Sequence, residues 1–156
     1  MQSTHEQFEK HKSNKDVVIL CDGIESPANI GSILRLADAF GVSKVYFLNG
    51  IQELTKRAKS VSRGTEKYVN FEFITEPQFD ERDWFCLELT TSSSPLSESP
   101  SNKQKLGIIV GNENSGVSDQ YLNKFPSFHI KMFGNNSSMN VSNALSAALY
   151  EITRLA

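Results

Sequence analysis

Three short segments of the chain combine glycine with side chains that donate or accept hydrogen bonds. They are a first loop at residues 26–37, a second loop at residues 110–116 and a third loop at residues 130–144. Each comes at the end of an apolar run that is typical of a buried strand. Because loops that wrap a ligand use backbone groups and short polar side chains, the sequence predicts one ligand site built from three loops.

The first loop offers an amide, a glycine and a guanidinium, at Asn29, Gly31 and Arg35. Asn29 either caps the following helix or lines the site, and Gly31 in the first helical turn predicts a close approach to the backbone. Arg35 is either a solvated helix charge paired with Asp38 or a contact for an anionic ligand such as phosphate.

The second loop places Glu113 between Gly111 and Gly116. The glycines allow backbone N–H groups to face a ligand, but neither the P-loop spacing nor the dinucleotide-binding spacing is present. A carboxylate in the middle of the loop would also repel phosphate. The sequence therefore argues against a nucleoside triphosphate and favours a ligand with a positive centre or with hydroxyl and amine groups.

The third loop is the densest polar segment and runs into an apolar helical pattern. Ile130, Met132 and Met139 could sandwich a flat ring, while Ser138 and Asn140 offer hydrogen bonds. The alternatives are core packing for the two methionines and a helix N-cap for Asn140.

A basic stretch separates the first and second loops, although the net charge of the whole chain is only −2. It consists of Lys56, Arg57, Lys59, Arg63 and Lys67, with Glu66 as its one acid. The stretch is either a solvated helix face or a stripe that contacts phosphates.

The elements that must position these loops alternate along the chain. Strands are predicted at 17–21, 45–48, 69–74, 84–90, 106–110 and 128–130, and helices at 30–40, 52–62 and 141–155. Almost uniformly apolar strands in such an alternation indicate a three-layer α/β/α fold with a mainly parallel sheet, which binds ligands at the carboxyl ends of its strands. The Ser- and Pro-rich residues 91–104 predict a mobile surface loop.

Length and composition narrow the remaining possibilities. A chain of 156 residues fits a single domain, 1–156, with residues 1–15 as a short polar lead-in. We expect a cytoplasmic protein, because neither a membrane span nor a signal peptide is visible. Cys21 and Cys86 are predicted to be buried free thiols.

In this order and spacing, the three loops resemble the motifs of the SpoU/TrmH family of RNA methyltransferases, part of the SPOUT superfamily. The first matches N-x-G-x-x-x-R-x-A at Asn29, Gly31, Arg35 and Ala37, and the second matches G-x-E-x-x-G at Gly111, Glu113 and Gly116. The third matches I-P-M-x-G-x-x-x-S-L-N-V-S-x-A at Ile130, Met132, Gly134, Ser138, Asn140, Val141, Ser142 and Ala144. It departs at Lys131, where Pro is usual, and at Met139, where Leu is usual.

The resemblance implies a SPOUT-like fold with a C-terminal trefoil knot whose loops bind S-adenosyl-L-methionine in a bent shape. It also implies a homodimer, with active sites near the subunit interface, that methylates a ribose 2′-hydroxyl of RNA. Because no separate RNA-binding domain is visible, tRNA is favoured over rRNA as the substrate. No metal and no membrane partner are expected.

The resemblance also assigns roles to individual residues. The expected cofactor-binding residues are Thr90, Gly111, Gly116, Ile130, Met132 and Met139. The expected catalytic residues are Asn29, Arg35, Glu113, Ser138 and Asn140. RNA is expected to contact Arg35 together with Lys56, Arg57, Lys59 and Arg63. Since a guanidinium is a poor base, Arg35 is interpreted as a phosphate clamp and proton relay.

Two rival interpretations remain open at the level of sequence. One is a non-catalytic RNA-binding relative with the same fold. The other is an unrelated α/β enzyme that uses residues 111–116 to hold a phosphate.

Overall fold

A computed structural model describes residue 9 and residues 11–154 of the chain. Most of the predicted lead-in, at residues 1–8 and 10, lies outside the described residues, and so does Leu155 of the predicted closing helix. Across the described part, no helix is long and apolar enough to cross a membrane.

The centre of the molecule is a seven-stranded sheet in which every pairing between strands is parallel. Its strands are β1 (Asp16–Asp22), β2 (Lys44–Leu48), β3 (Phe71–Ile74), β4 (Asp83–Leu87), β5 (Ser94–Pro95), β6 (Lys105–Val110) and β7 (Ser127–His129). They lie in the order β3-β2-β1-β6-β4-β7-β5. The carboxyl ends of all strands therefore meet at one edge.

Among the residues that the structure describes, four α-helices accompany the sheet: α1 (Pro27–Ala39), α2 (Lys56–Ser62), α3 (Asp119–Leu122) and α4 (Val141–Thr153). Alternate residues of β1 enter different cores, because successive side chains of a strand point to opposite faces. Val17 and Ile19 pack in the cluster that contains α1 and α4, while Val18 and Leu20 pack in the cluster around α3. The predicted three-layer α/β fold is confirmed.

The two long helices begin where the sequence provides capping groups. The Ser26 side chain accepts a hydrogen bond from the Asn29 N–H, and Pro27 occupies the first turn of α1. Asn140 caps α4 by accepting from the N–H groups of Ser142 and Asn143. Each helix then buries an apolar stripe against the sheet.

Several predicted boundaries were wrong. The helix predicted from residue 52 begins at Lys56, because Thr55 caps it, and the strand predicted to reach Thr90 ends at Leu87. Residues 91–104 are not simply a mobile loop. Ser94–Pro95 pairs with β7 at the sheet edge, and Leu96 is buried.

Both cysteines are buried and free, as predicted. Burial raises the pKa of the Cys86 thiol to about 12, and the nearby carboxylates of Glu88 and Asp22 add to that rise. Neither thiol is therefore a reactive nucleophile in the folded protein.

Candidate functional site

The carboxyl edge of the sheet carries a cavity of about 390 Å³, which the second and third loops line and the first loop adjoins through hydrogen bonds of Asn29. Its walls come from the ends of β4, β6 and β7, the second and third loops, and the start of α4. The cavity is lined by eight of the predicted site residues: Gly111, Glu113, Gly116, Ile130, Met132, Ser138, Met139 and Asn140. Asn29, Arg35 and Thr90 are not among the residues that line it.

A chain of hydrogen bonds joins one residue from each loop. The Asn29 amide nitrogen donates to Glu113 Oε1 at 2.8 Å, and the Asn140 amide nitrogen donates to Asn29 Oδ1 at 3.1 Å. Because Glu113 can only accept, its presence fixes the orientation of the Asn29 amide, and that orientation makes Asn140 the donor. Asn29 itself is almost fully buried, at 7% exposure.

Glu113 is held by the backbone at the start of the first loop. Its carboxylate accepts hydrogen bonds from the N–H groups of Glu25, at 3.2 Å, and Ser26, at 3.0 Å. Partial burial acts to raise the pKa of Glu113, but the hydrogen bonds from Asn29 and from these backbone groups outweigh it. The net pKa lies below its ordinary value, so Glu113 is a carboxylate at neutral pH.

The glycines of the second loop are required by close packing. A Cβ on Gly111 would collide with the backbone of Gly116 and Val117, and Gly116 has a φ of +72°. Asn112 and Gly116 exchange backbone hydrogen bonds of 3.0 Å, which close the loop into a tight turn. The backbone therefore lies directly at the cavity wall, as a ligand cradle requires.

Asn112, which sequence reasoning did not single out, organises this turn. Its amide nitrogen donates to the Gly23 carbonyl at 2.7 Å, and its Oδ1 accepts from the N–H groups of Asn114 and Ser115. The sequence does contain a signal for this role: Asn112 lies just after the strongest predicted strand, at a position where an Asn side chain is typical of a turn.

The polar part of the third loop is open to solvent. Ser138 is exposed, and both its N–H and its hydroxyl donate to Asn136 Oδ1. Phe133 is 96% exposed and Met139 is 42% exposed. Lys131, the departure from the family pattern, is also exposed and lies outside the cavity lining. The third loop thus exposes both apolar and polar side chains to solvent.

Arg35 lies on the exposed surface of α1, and neither a hydrogen bond nor an ion pair connects its side chain with the rest of the described chain. It is one helical turn beyond Gly31, at the i+4 position, and so on the same side of α1. The pairing with Asp38 considered from the sequence is not formed.

The basic helix α2 packs directly on that side of α1. A Cβ on Gly31 would lie 2.5 Å from the Ala58 carbonyl and 2.7 Å from Val61 Cβ, so only glycine allows this approach. All five side chains of the basic stretch are exposed: Lys56, Arg57, Lys59, Arg63 and Lys67. Arg35 and the basic stretch therefore belong to neighbouring surfaces.

Sequence reasoning missed two ionisable residues that line the cavity, Glu88 and His129. Glu88 follows β4 and accepts from the Val117 N–H at 3.0 Å, while His129 Nδ1 lies 2.9 Å from Ser93 Oγ. The prediction that the strand continued to Thr90 concealed Glu88, since a residue inside a strand is not examined as a loop residue. Within the described residues, no group of three potential metal ligands occurs.

A parallel sheet whose carboxyl edge carries a glycine-walled cavity defines an α/β ligand-binding protein. Residues 16–150 match the model of the SpoU rRNA Methylase family. The chain belongs to this family, as its three loops predicted.

Individual relatives agree with this assignment. The chain is 32% identical over 157 residues to a Staphylococcus epidermidis protein whose name places it in the TrmH family of tRNA/rRNA methyltransferases. It is 28% identical over 151 residues to a tRNA (guanosine(18)-2′-O)-methyltransferase of Aquifex aeolicus. The alignments cover 95% and 92% of this chain, but 62% and 71% of those proteins. The chain thus spans less than two thirds of the Staphylococcus relative.

Solved structures share the fold. The A. aeolicus TrmH/SpoU tRNA modifying enzyme superposes with a TM-score of 0.80 at 26% identity, covering 91% of this chain and 77% of that one. An AdoMet-bound rRNA methyltransferase from Sinorhizobium meliloti gives a TM-score of 0.83 at 18% identity, covering 90% and 56%.

Proposed function

We propose that this protein transfers a methyl group from S-adenosyl-L-methionine to a ribose 2′-hydroxyl of RNA. The observation that carries the proposal is the hydrogen-bond chain from Glu113 through Asn29 to Asn140, beside a glycine-walled cavity in a SpoU-family fold. One relative is named a tRNA ribose 2′-O-methyltransferase, and one structural neighbour was solved with AdoMet bound.

The residues of the cavity fit this methyl donor. Gly111 and Gly116 leave backbone exposed where a side chain would fill the space, and Ile130, Met132 and Met139 supply apolar walls for an adenine ring. Lys and Arg, the residues that hold phosphate groups, are missing from the cavity wall, which disfavours a nucleoside triphosphate. Bound there, the donor would supply an electrophilic methyl group on a positively charged sulfur. Thr90 follows Leu89, which lines the cavity, and is proposed to contact the donor at the outer rim.

The protein must also help the 2′-hydroxyl lose its proton, because a neutral hydroxyl is a weak nucleophile. Arg35 is proposed to clamp an adjacent RNA phosphate and to relay the proton in one concerted exchange. It passes one of its own N–H protons to that phosphate as it takes the proton of the 2′-hydroxyl, so it remains a guanidinium throughout. Asn29 and Asn140 are proposed to line the reaction site, with Ser138 orienting the ribose. Glu113 keeps Asn29 in a single orientation.

The separation of Arg35 from the cavity supports a homodimer. Arg35 is exposed on α1, whereas the cavity residues Ser138 and Asn140 come from the third loop and the start of α4. A second copy of the chain could bring its own Arg35 to this cavity. Tyr150 on α4, 63% exposed, is an apolar surface suited to such a contact.

RNA is proposed to lie across Arg35 and the side chains of Lys56, Arg57, Lys59 and Arg63. These cations would bind phosphates without reading sequence. We favour tRNA over rRNA, in keeping with the named activity of the A. aeolicus relative. We also propose a cytoplasmic location for the protein, where tRNA is available as a substrate.

We further propose that the described residues form one methyltransferase domain and that its C-terminal segment is threaded as a trefoil knot. Two features support this threading. The chain between β7 and α4 returns to the cavity beside the second loop, and α4 then packs against α1.

The test is methyl transfer from S-adenosyl-L-methionine to purified tRNA and rRNA, with 2′-O-methyl sites mapped in each. Arg35→Ala should lower turnover by at least about 100-fold, because it removes the proton relay. Its affinity for S-adenosyl-L-methionine in isothermal titration should change by less than about twofold. Lys105→Ala, an exposed cation at the opposite edge of the sheet, is the control. Retained turnover in Arg35→Ala would contradict the assignment, and tight binding of ATP in place of the methyl donor would contradict the function.

A further inference from the structure

The charged side chains that line the cavity are acidic. Its lining contains two carboxylates, Glu88 and Glu113, and neither Lys nor Arg; His129 is its one other ionisable group. The two carboxylates give the cavity a formal charge of about −2 at neutral pH, which favours cationic ligands.

The two carboxylates differ in how many hydrogen bonds they accept from the protein itself. Glu113 accepts three hydrogen bonds, from the backbone N–H groups of Glu25 and Ser26 and from the Asn29 side chain. Glu88 accepts one at each oxygen, from the Leu89 N–H at 3.1 Å and the Val117 N–H at 3.0 Å. Because a carboxylate has about four acceptor positions, Glu88 keeps the greater capacity for a ligand.

The position of Glu88 is fixed by the second loop. A Cβ on Gly116 would lie 2.5 Å from Glu88 Oε2, so the carboxylate occupies the space that a side chain at position 116 would take. The hydrogen bond to Val117 ties the end of β4 to the same loop. The negative charge therefore stays at the cavity wall without depending on a mobile side chain.

We propose that Glu88 is a specificity-determining residue that makes the cavity prefer the cationic methyl donor over its neutral product. This inference rests on the proposed function. S-adenosyl-L-methionine carries a positive sulfonium, whereas the product, S-adenosyl-L-homocysteine, has a neutral thioether at the same position. A fixed carboxylate stabilises the first and has no such attraction for the second, so the product is displaced by fresh donor.

Isothermal titration with three ligands tests the proposal. They are S-adenosyl-L-methionine, the neutral product, and sinefungin, which carries an amine at the position of the sulfonium. Glu88→Gln should weaken binding of both cationic ligands by about three- to tenfold, the range expected for one partly solvated charge pair. Binding of the neutral product should change by less than about twofold.

Glu88→Gln also alters the hydrogen bond to Val117, and the comparison between ligands separates this structural effect. An equal loss for all three ligands, or no loss for any, would overturn the proposal. Glu81→Gln, at the amino end of β4 and outside the cavity, is the matched control and should leave all three affinities unchanged.

Two further measurements test whether the effect of Glu88 comes from its charge. Glu88→Asp retains the charge and should keep the preference for the cationic ligands, even if its overall affinity falls. In the wild-type protein, added salt should weaken the two cationic ligands more than the neutral product. If the wild type binds none of the three ligands, the proposed function fails together with the inference. If it binds and methylates RNA while Glu88→Gln keeps the wild-type preference, the inference alone fails.

Discussion

Asn140 performs two tasks with the two ends of one amide. Its Oδ1 caps α4 by accepting from Ser142 and Asn143, and its Nδ2 donates to Asn29. The sequence left a helix cap and a site residue as alternatives, but the structure contains the capping contact and the link to Asn29 together. A substitution can therefore separate the two tasks.

Asn140→Asp should keep the cap and lose the donor, because a carboxylate only accepts. Stability in chemical denaturation should fall by about 1 kcal/mol, because the nearly buried Asn29 Oδ1 loses its donor, while methyl transfer falls by about tenfold or more. Asn140→Ala should lose about a further 1 kcal/mol of stability, because it removes the cap as well. Wild-type turnover in Asn140→Asp would show that the link to Asn29 has no part in the reaction.

Glu113 should make stability depend on pH in a defined direction. Its pKa is lowered in the folded protein, so its contribution is full above the ordinary Glu pKa of 4.5 and is lost as the pH falls through the folded value. Glu113→Gln should be less stable than the wild type by about 1 kcal/mol at pH 7.

The stability difference between wild type and Glu113→Gln should shrink towards zero on acidification below that range, as measured by denaturant titrations across pH. Glu81→Gln, whose side chain is exposed, should show no comparable pH-dependent difference. A difference that stays constant into acid would contradict the role of the charge.

The residue identities in the site could be predicted, but their mutual contacts could not. Asn29, Glu113 and Asn140 are far apart in sequence; the position of their loops after strands predicted a shared site, but not the hydrogen bonds that join the three side chains. Glu88 had no such signal, because it lies outside the three loops that match the family motifs. A functional role for a carboxylate beside a strand end can be inferred only when the turn that faces it is known.

At the scale of elements, the contact between α1 and α2 depends on the absence of a side chain at Gly31. Gly31→Ala should push α2 away from α1 and cost about 1–3 kcal/mol of stability, because the new Cβ meets backbone that cannot yield locally. Denaturant unfolding measures this loss.

Gly134→Ala is the matched control, since a Cβ at position 134 meets nothing within 4 Å. Its stability should stay within about 0.5 kcal/mol of the wild type. A stable Gly31→Ala protein with unchanged RNA affinity would show that α2 does not need its close position.

Elements with strong apolar periodicity were predicted well, and those that depend on edge pairing were not. β1, β6 and α4 follow directly from their apolar patterns. The two residues of β5 carry no strand signal of their own; they pair because β7 happens to lie beside them. The short α3 was missed for a similar reason, since four residues are too few for a helical period.

At the scale of the whole molecule, an acidic protein with a local basic surface should bind RNA through that surface. The salt dependence of its RNA affinity should therefore arise from the residues of the basic stretch. Lys56→Ala combined with Lys59→Ala should weaken RNA binding and reduce the slope of log affinity against log salt by about 1.4, if each lysine contacts one phosphate of an unpaired strand. Filter binding over a range of salt concentrations measures the slope.

The double control Lys12→Ala with Lys105→Ala removes two exposed cations outside the basic stretch and should leave the slope unchanged. Equal slopes in all three proteins would show that RNA lies elsewhere on the surface.

The position of β1 in the sheet also affects how the chain folds during its synthesis. β1 leaves the ribosome well before its neighbour on one side, β6, which starts only at Lys105. During synthesis, one edge of a strand whose central residues, 17–21, are all apolar must stay unpaired until the chain has been translated as far as β6. We expect slow folding, in milliseconds to seconds, and a nascent chain that benefits from chaperones until β6 arrives.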